Sequence, residues 1–176
     1  LNQLEEAATQ VQRGDMAAFQ RIVHETSDRL VRLCARILGN LQDAEDATQE
    51  TYLKAYRALV QGQFDRRSSL RTWLYRIATN TALDLRRMRR ALPSDQLSLA
   101  PAPGEQPELR LALHELSTWL DALPDEQRIA LLLSAIEGLP SAEIGEILGC
   151  SEGAVEQRLV RARAHLRRRR GDGHEP

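Results

Sequence analysis

Leu139-Pro140-Ser141-Ala142-Glu143-Ile144-Gly145-Glu146-Ile147-Leu148-Gly149-Cys150-Ser151-Glu152-Gly153-Ala154-Val155-Glu156-Gln157-Arg158, running on to Arg170, is the stretch on which the reading of the chain turns. Ser141 is suited to cap a first short helix. Ile144, Ile147 and Leu148 give that helix one apolar face, and Gly149 can take the left-handed conformation that ends it. Ser151 can cap a second helix, in which Val155, Leu159, Ala162 and Leu166 recur at helical spacing. Two helices around a glycine turn, the second opening with polar residues, make a helix-turn-helix pattern. The same pattern suits an ordinary helical hairpin that packs its own core, so the upstream sequence has to separate the two.

Over the whole chain aromatic residues are only 4% of the 176, and Gly and Pro are scarce outside a few clusters. A core of Leu, Ile, Val and Ala follows, and the composition favours helices throughout. The formal net charge of −1 conceals a segregation. Arg66, Arg67, Arg71, Arg76, Arg86, Arg87, Arg89 and Arg90 crowd a stretch whose only acids are Asp65 and Asp84, and Arg158 to Arg170 holds seven arginines and no acid. The balancing acids gather elsewhere, notably from Asp43 to Glu50. Separate acidic and basic surfaces suggest a polyanion partner and a basic protein partner. Cys34 and Cys150 sit at apolar positions with no zinc spacing, and a disulfide between them is not expected. The chain has no signal-peptide pattern and no apolar run of membrane-spanning length, so a cytoplasmic protein is expected. His24, His114, His165 and His174 are scattered outside any nucleophile, metal or phosphate-loop motif. No catalytic residue, metal, cofactor or small-molecule substrate is therefore expected.

The periodicity predicts an all-α chain of two small helical domains joined by a flexible linker. Residues 1–91 form the first. Leu4 to Gln12 is a short helix. Asp15 caps a long one with Phe19, Ile22, Val23, Leu30, Val31, Cys34, Ile37 and Leu38 on its apolar face, ending at Gly39-Asn40. Asp43 starts the next, with Ala44, Ala47, Thr51, Ala55 and Leu59 inside. After a polar loop from Gly62 to Ser69, Ser69 caps a helix to about Arg90 with Trp73, Leu74, Ile77, Ala78, Leu85 and Met88 turned inward. Residues 92–107, with Pro93, Pro101, Pro103, Pro107 and Gly104, read as an extended linker. Residues 108–170 form the second domain. Its first helix carries Leu109, Leu113, Leu116, Leu120 and Leu123. Pro124, Asp125 and Glu126 then open a helix bearing Ile129, Leu132, Leu133 and Ile136, which stops at Gly138. Residues 171–176 read as a disordered tail.

Three constellations can carry function. In Asp43-Ala-Glu-Asp-Ala-Thr-Gln-Glu-Thr-Tyr-Leu-Lys-Ala-Tyr-Arg57, residues Asp46, Gln49, Glu50 and Leu53 share one helix face. That face suits docking onto a basic helical surface, and it equally suits a solvated acidic helix start. In the second, Phe64, Arg66, Arg67 and Ser68 lie in a polar loop before a helix that shows Arg76, Thr79, Asn80, Asp84 and Arg87 outward. Arginines bind phosphates, Asn pairs with base edges and aromatics hold an unstacked base, a combination suited to partly single-stranded DNA. Trp73 reads as core, and Tyr75 is left open. In the third, the helix-turn-helix, Ser151 caps the second helix. Glu152, Gly153, Glu156 and Gln157 face the major groove, and Arg158 and Arg161 flank toward phosphate. The two glutamates repel phosphate, so affinity from this domain alone should be modest. The Arg167 to Arg170 cluster adds salt-sensitive attraction.

Taken together, these segments resemble the extracytoplasmic-function group of bacterial sigma factors over nearly the whole chain. Asp43-Ala-Glu-Asp-Ala-Thr-Gln-Glu-Thr-Tyr-Leu-Lys-Ala-Tyr is similar to that family's polymerase-clamp helix. Phe64 through Thr72-Trp73-Leu74-Tyr75-Arg76-Ile77-Ala78-Thr79-Asn80 to Arg87 is similar to its segment for opening and reading the −10 element. Leu123-Pro124-Asp125-Glu126-Gln127-Arg128 and the helix-turn-helix look like its −35-reading domain. The resemblance implies a transcription initiation factor that binds core RNA polymerase through Asp43, Asp46, Gln49, Glu50 and Leu53. It further implies promoter DNA as a partner, duplex at −35 and partly melted at −10, with the 62–69 loop holding an extruded base and the Asn80 face touching DNA. Members of the family are usually held inactive by an anti-sigma factor, often membrane-anchored. Glu156 and Gln157 depart from the family's common Lys and Ser or Thr, which bears on promoter preference. The residues alone leave two other readings: a repressor or activator that binds duplex DNA unaided, and a helical adaptor docking through its acidic face.

Overall fold

The computed structural model describes residues 3–91, 115–116 and 118–172, with side chains described for 3–89, 115–116 and 118–169. Tertiary contacts divide the chain into two units, Leu1–Ser98 and Leu99–Pro176. Among the described residues every regular element is a helix, so the architecture is all-α. The expected linker 92–107, the helix positions Leu109 and Leu113, and residues 173–176 lie outside the described residues.

In the first unit, α1 (Gln3–Gln12) buries Leu4, Ala7, Ala8 and Val11, spaced so that all four fall on one stripe. Asp15 caps α2 (Met16–Leu38), accepting from the N–H groups of Ala17 and Ala18. Gly39 closes α2 at φ 84°, a left-handed position open to glycine, and its N–H donates to the Ala35 carbonyl. Asn40 then caps α3 (Leu41–Val60), its side-chain oxygen accepting from the Asp43 N–H at 2.8 Å. The helix expected to begin at Asp43 therefore begins two residues earlier. α4 (Leu70–Ala91) starts on Ser69, whose hydroxyl accepts from the Thr72 N–H at 3.1 Å. The four helices pack on one another around Ile22, Leu30, Leu33, Ile37, Leu59, Leu70 and Leu74.

Two polar groups are held inside that core. Burial pushes the Cys34 thiol up to about 11, only partly offset by its hydrogen bond with Thr48. Burial likewise pushes the Tyr52 phenol up to about 12, against a hydrogen bond with Thr26 at 2.7 Å. Both stay neutral at physiological pH. Phe19 packs edge-on against Tyr52 and Tyr56.

The second unit contains helical residues 118–121, then α5 (Asp125–Ala135), α6 (Ser141–Leu148) and α7 (Glu152–Asp172). Pro124 stands just ahead of α5, and Asp125 and Glu126 occupy its first turn, where the helix dipole favours acids. Leu123, Ile129, Leu132, Leu133, Ile144, Ile147, Val155, Leu159 and Ala162 form the core of this unit.

Several expectations are corrected here. Met88 is 66% exposed and Leu85 half-buried, because the inward stripe of α4 runs out beyond Leu83. Ile136 is exposed at the end of α5. Ser141 is the first residue of α6 rather than its cap, a place taken by Pro140 without a side-chain hydrogen bond. α7 continues through Gly171 to Asp172, so the tail expected from residue 171 begins in helix.

Candidate nucleic-acid interface

α3 carries opposite charge at its two ends. Glu45, Asp46, Gln49 and Glu50 are exposed on its first half, and Leu53, Lys54 and Arg57 follow on its second. Leu53, 51% exposed, sets an apolar side chain among the polar ones. Glu50 reaches Lys54 at 3.8 Å, a solvent-exposed pair worth little in stability. Asp43 departs from the predicted docking set. It is 2% exposed, receives a hydrogen bond from Asn40 and pairs with Arg89 of α4. Its carboxylate fastens α3 to α4 and does not reach the surface.

The basic half of α3 faces the first half of α4 across an open cleft of roughly 530 Å³, lined by Lys54, Arg57, Gln61, Gln63, Arg76 and Asn80 among others. Lys54 spans it, donating to Thr81 Oγ1 at 3.1 Å. From the cleft, Arg76, Asn80, Asp84 and Arg87 form one exposed stripe along α4, with Asp84 and Arg87 paired at 3.8 Å. Thr79, predicted on that outer face, is fully buried. The arrangement offers cations for phosphates and amides for base edges, side by side at an opening between two helices.

The loop ahead of α4 differs from expectation at its aromatic. Phe64 is 3% exposed, its ring 5.2 Å from that of Trp73, so it braces the loop from within and offers no stacking face. Tyr75, left open by the sequence, is buried as well. Arg67 and Asp65 pair at 3.1 Å in the open, and Ser68 is half-buried. Arg66 holds φ at 59°, the left-handed region that costs a branched-free residue on the order of 1 kcal/mol, and its guanidinium donates to Thr9 Oγ1 at 2.7 Å. No periodicity marks this tie, because Thr9 is 57 residues away.

In the second unit, Gly149 turns the chain at φ 66° and Ser151 accepts from the Ala154 N–H at 3.3 Å. Gly145 has a separate role: a Cβ there would lie 2.7 Å from the Cys150 carbonyl oxygen, so only glycine lets the turn fold back onto α6. Glu152, Gly153, Glu156, Gln157 and Arg161 are exposed along the start of α7. Arg158 is not free toward solvent. Its side chain is 20% exposed, pairs with Glu126 at 2.6 Å and donates to the Cys150 sulfur. It locks α5 to the turn. Among the described residues no group of His, Cys, Asp and Glu is arranged to hold a metal, and no helix is long and apolar enough to cross a membrane.

Known proteins carry the same layout. Residues 22–91 match the family described as sigma-70 region 2, and residues 113–166 match sigma-70, region 4. The ECF RNA polymerase sigma factor SigW of Bacillus subtilis is 37% identical over 180 residues, covering 93% of this chain and 94% of SigW. The structure of CnrH in complex with the cytosolic domain of CnrY matches with a TM-score of 0.76 and 30% identity, over 99% of this chain and 100% of that one. The sigma factor RpoE of Bartonella quintana, solved with the anti-sigma factor NepR, shares the fold with a TM-score of 0.68 at 24% identity, over 86% of this chain and 95% of that one.

Proposed function

The chain belongs to the extracytoplasmic-function group of bacterial RNA polymerase sigma factors, and from that membership we propose how its own residues bind core polymerase and direct it to promoters. The acidic half of α3 docks on the polymerase through Asp46, Gln49, Glu50 and Leu53, with Asp43 fastening the helix from beneath. The cleft between α3 and α4 receives a strand of the −10 element, with Lys54, Arg57 and Arg76 toward phosphates and Asn80 toward a base. The start of α7 reads −35 duplex through Glu152, Gly153, Glu156 and Gln157, with Arg161 toward phosphate. Residues 1–91 and 108–170 divide these tasks, joined by 92–107.

The observation that supports this reading most is the change of sign along α3. One rigid helix presents an acidic surface for a basic protein and, a few turns on, a basic cleft for a nucleic acid. That arrangement couples docking to strand capture in a single element. The work is recognition and positioning, with no bond made or broken by the chain, and it takes place in the cytoplasm. An anti-sigma factor that covers these surfaces would silence both at once, in line with the sigma factor–anti-sigma complex that shares the fold.

Run-off transcription with purified core polymerase and a promoter library tests the proposal. Promoter-specific transcripts should appear with the wild-type chain. Asp46→Lys should abolish them, because reversing an exposed charge on the docking face weakens polymerase binding about tenfold or more. Promoter-specific binding to duplex DNA without polymerase, together with an Asp46→Lys variant of full activity, would favour a repressor or activator instead.

A further inference from the structure

The loop that leads into the cleft is tied to α1 at its far end and near its middle. At its far end the Leu70 N–H, one of the unpaired donors at the start of α4, donates to Glu5 Oε1 at 3.2 Å across 65 residues of sequence. Ser69 serves the Thr72 N–H locally, so the helix start has one cap from its own turn and one from α1. Glu5 keeps its other carboxylate oxygen buried without a hydrogen-bond partner, a desolvation that would be relieved if the side chain swung out to water. Near the loop's middle, Arg66 donates to Thr9 Oγ1, and the Thr9 hydroxyl in turn donates to the Glu5 carbonyl at 2.9 Å. Arg66 is the only non-glycine with positive φ among the described residues, so the loop is held in a shape it would not adopt unaided. Ahead of these two ties Phe64 is pressed onto Trp73, which itself lines the cleft. Neither Glu5 nor Thr9 lines the cleft.

We infer that Glu5 and Thr9 of α1 are positioning residues for the promoter strand: they clasp the 62–69 loop so that the cleft between α3 and α4 is open before DNA arrives. The inference rests on the assignment of that cleft to the −10 strand. It also gives Arg66 a part in the loop itself, since one guanidinium N–H of this exposed side chain holds Thr9. Preformed geometry matters here because ordering a loop at the moment of binding subtracts from affinity.

The test uses holoenzyme assembled from core polymerase and the full chain. Its probe is a single-stranded oligonucleotide bearing the −10 element of a promoter that the wild-type holoenzyme transcribes. Glu5→Ala and Thr9→Val should each weaken strand binding about fivefold, the scale of one lost hydrogen bond that orders a loop. Affinity for core polymerase should stay within about twofold, since the docking face of α3 is untouched. Glu5→Gln and Thr9→Ser keep an acceptor at the same place and should restore most of the strand affinity. Unchanged strand binding in the combined Glu5→Ala, Thr9→Val chain would overturn the inference. So would a parallel loss of strand and polymerase binding, which marks a general loosening of the first unit. Arg76→Ala and Asn80→Ala separate this from the reading beneath it. If they weaken strand binding and the α1 variants do not, only the clasp fails; if they too have no effect, the cleft is not the strand site.

Discussion

The turn between α6 and α7 and the loop between α3 and α4 both set polar residues just ahead of a helix, yet they are held in opposite ways. The turn is local. Gly149 supplies the left-handed residue, Ser151 caps the next helix, and Gly145 clears space for a carbonyl five residues on. The loop is held from a distance, by Glu5 and Thr9 of α1 and by the ring of Trp73. A turn built from neighbours is specified wherever its few residues occur. A loop built by remote partners takes its shape only when the whole unit is folded.

Variants can break this contrast in order of expected effect. Gly145→Ala should be the most damaging, because its Cβ meets backbone rather than a flexible side chain. A loss of about 3 kcal/mol, confined to the transition of the second unit, is expected in thermal or urea unfolding. A separate unfolding transition that stays put for the first unit would sharpen the picture of two independently held regions. Asp43→Ala comes next, at about 2 kcal/mol. It removes a buried carboxylate that ties α3 to α4 across 46 residues of sequence, and Arg89 keeps access to water once unpaired. Weaker polymerase binding should accompany it only to the extent that α3 loosens. Circular dichroism melting alongside a binding titration checks this.

The caps give a smaller and more discriminating comparison. Ser151→Ala should cost about 1 kcal/mol, the usual worth of a helix N-cap. Ser69→Ala should cost less, because Glu5 still serves the start of α4. Equal costs, measured in the same unfolding assay, would argue that the remote cap contributes nothing. The last effect is silent at neutral pH. Cys34 binds its proton more tightly folded than unfolded, so its contribution to stability is complete below about pH 9 and disappears as pH rises through about 11. Tyr52 follows the same sign on the way to about 12. Alkaline unfolding should therefore begin in the first unit, and Cys34→Ala should move its onset upward.

Much of the candidate site could be read from the residues. The stripe Arg76, Asn80, Asp84 and Arg87 is exposed as helical spacing required, and so are Asp46, Gln49, Glu50 and Leu53. The failures share a cause. Asp43, Phe64, Thr79 and Arg158 are polar or aromatic residues in the right segments, but each turns inward to a partner outside its own segment or into the core. The family resemblance put Asp43 in the docking set; Arg89 on another helix holds it away from the surface. Thr79 stands next to Asn80 in sequence, and one residue on a helix is a turn of about 100°, enough to move it from outer face to core.

What the sequence by itself determined is everything that neighbours can dictate: helices from periodicity, their ends from Asp15, Ser69, Gly39, Gly149 and Ser151, and the order of acidic, basic and helix-turn-helix segments along the chain. What only the tertiary structure decided is which charges are spent inside the protein and which remain for partners. Asp43 and Arg158 went inward and the exposed Arg66 is tied by one N–H to Thr9, while Asp46, Arg76 and Arg161 stayed out. The reason is physical. Capping and periodicity act over three or four residues, whereas an ion pair or a remote cap depends on a distance in space that no spacing along the chain encodes.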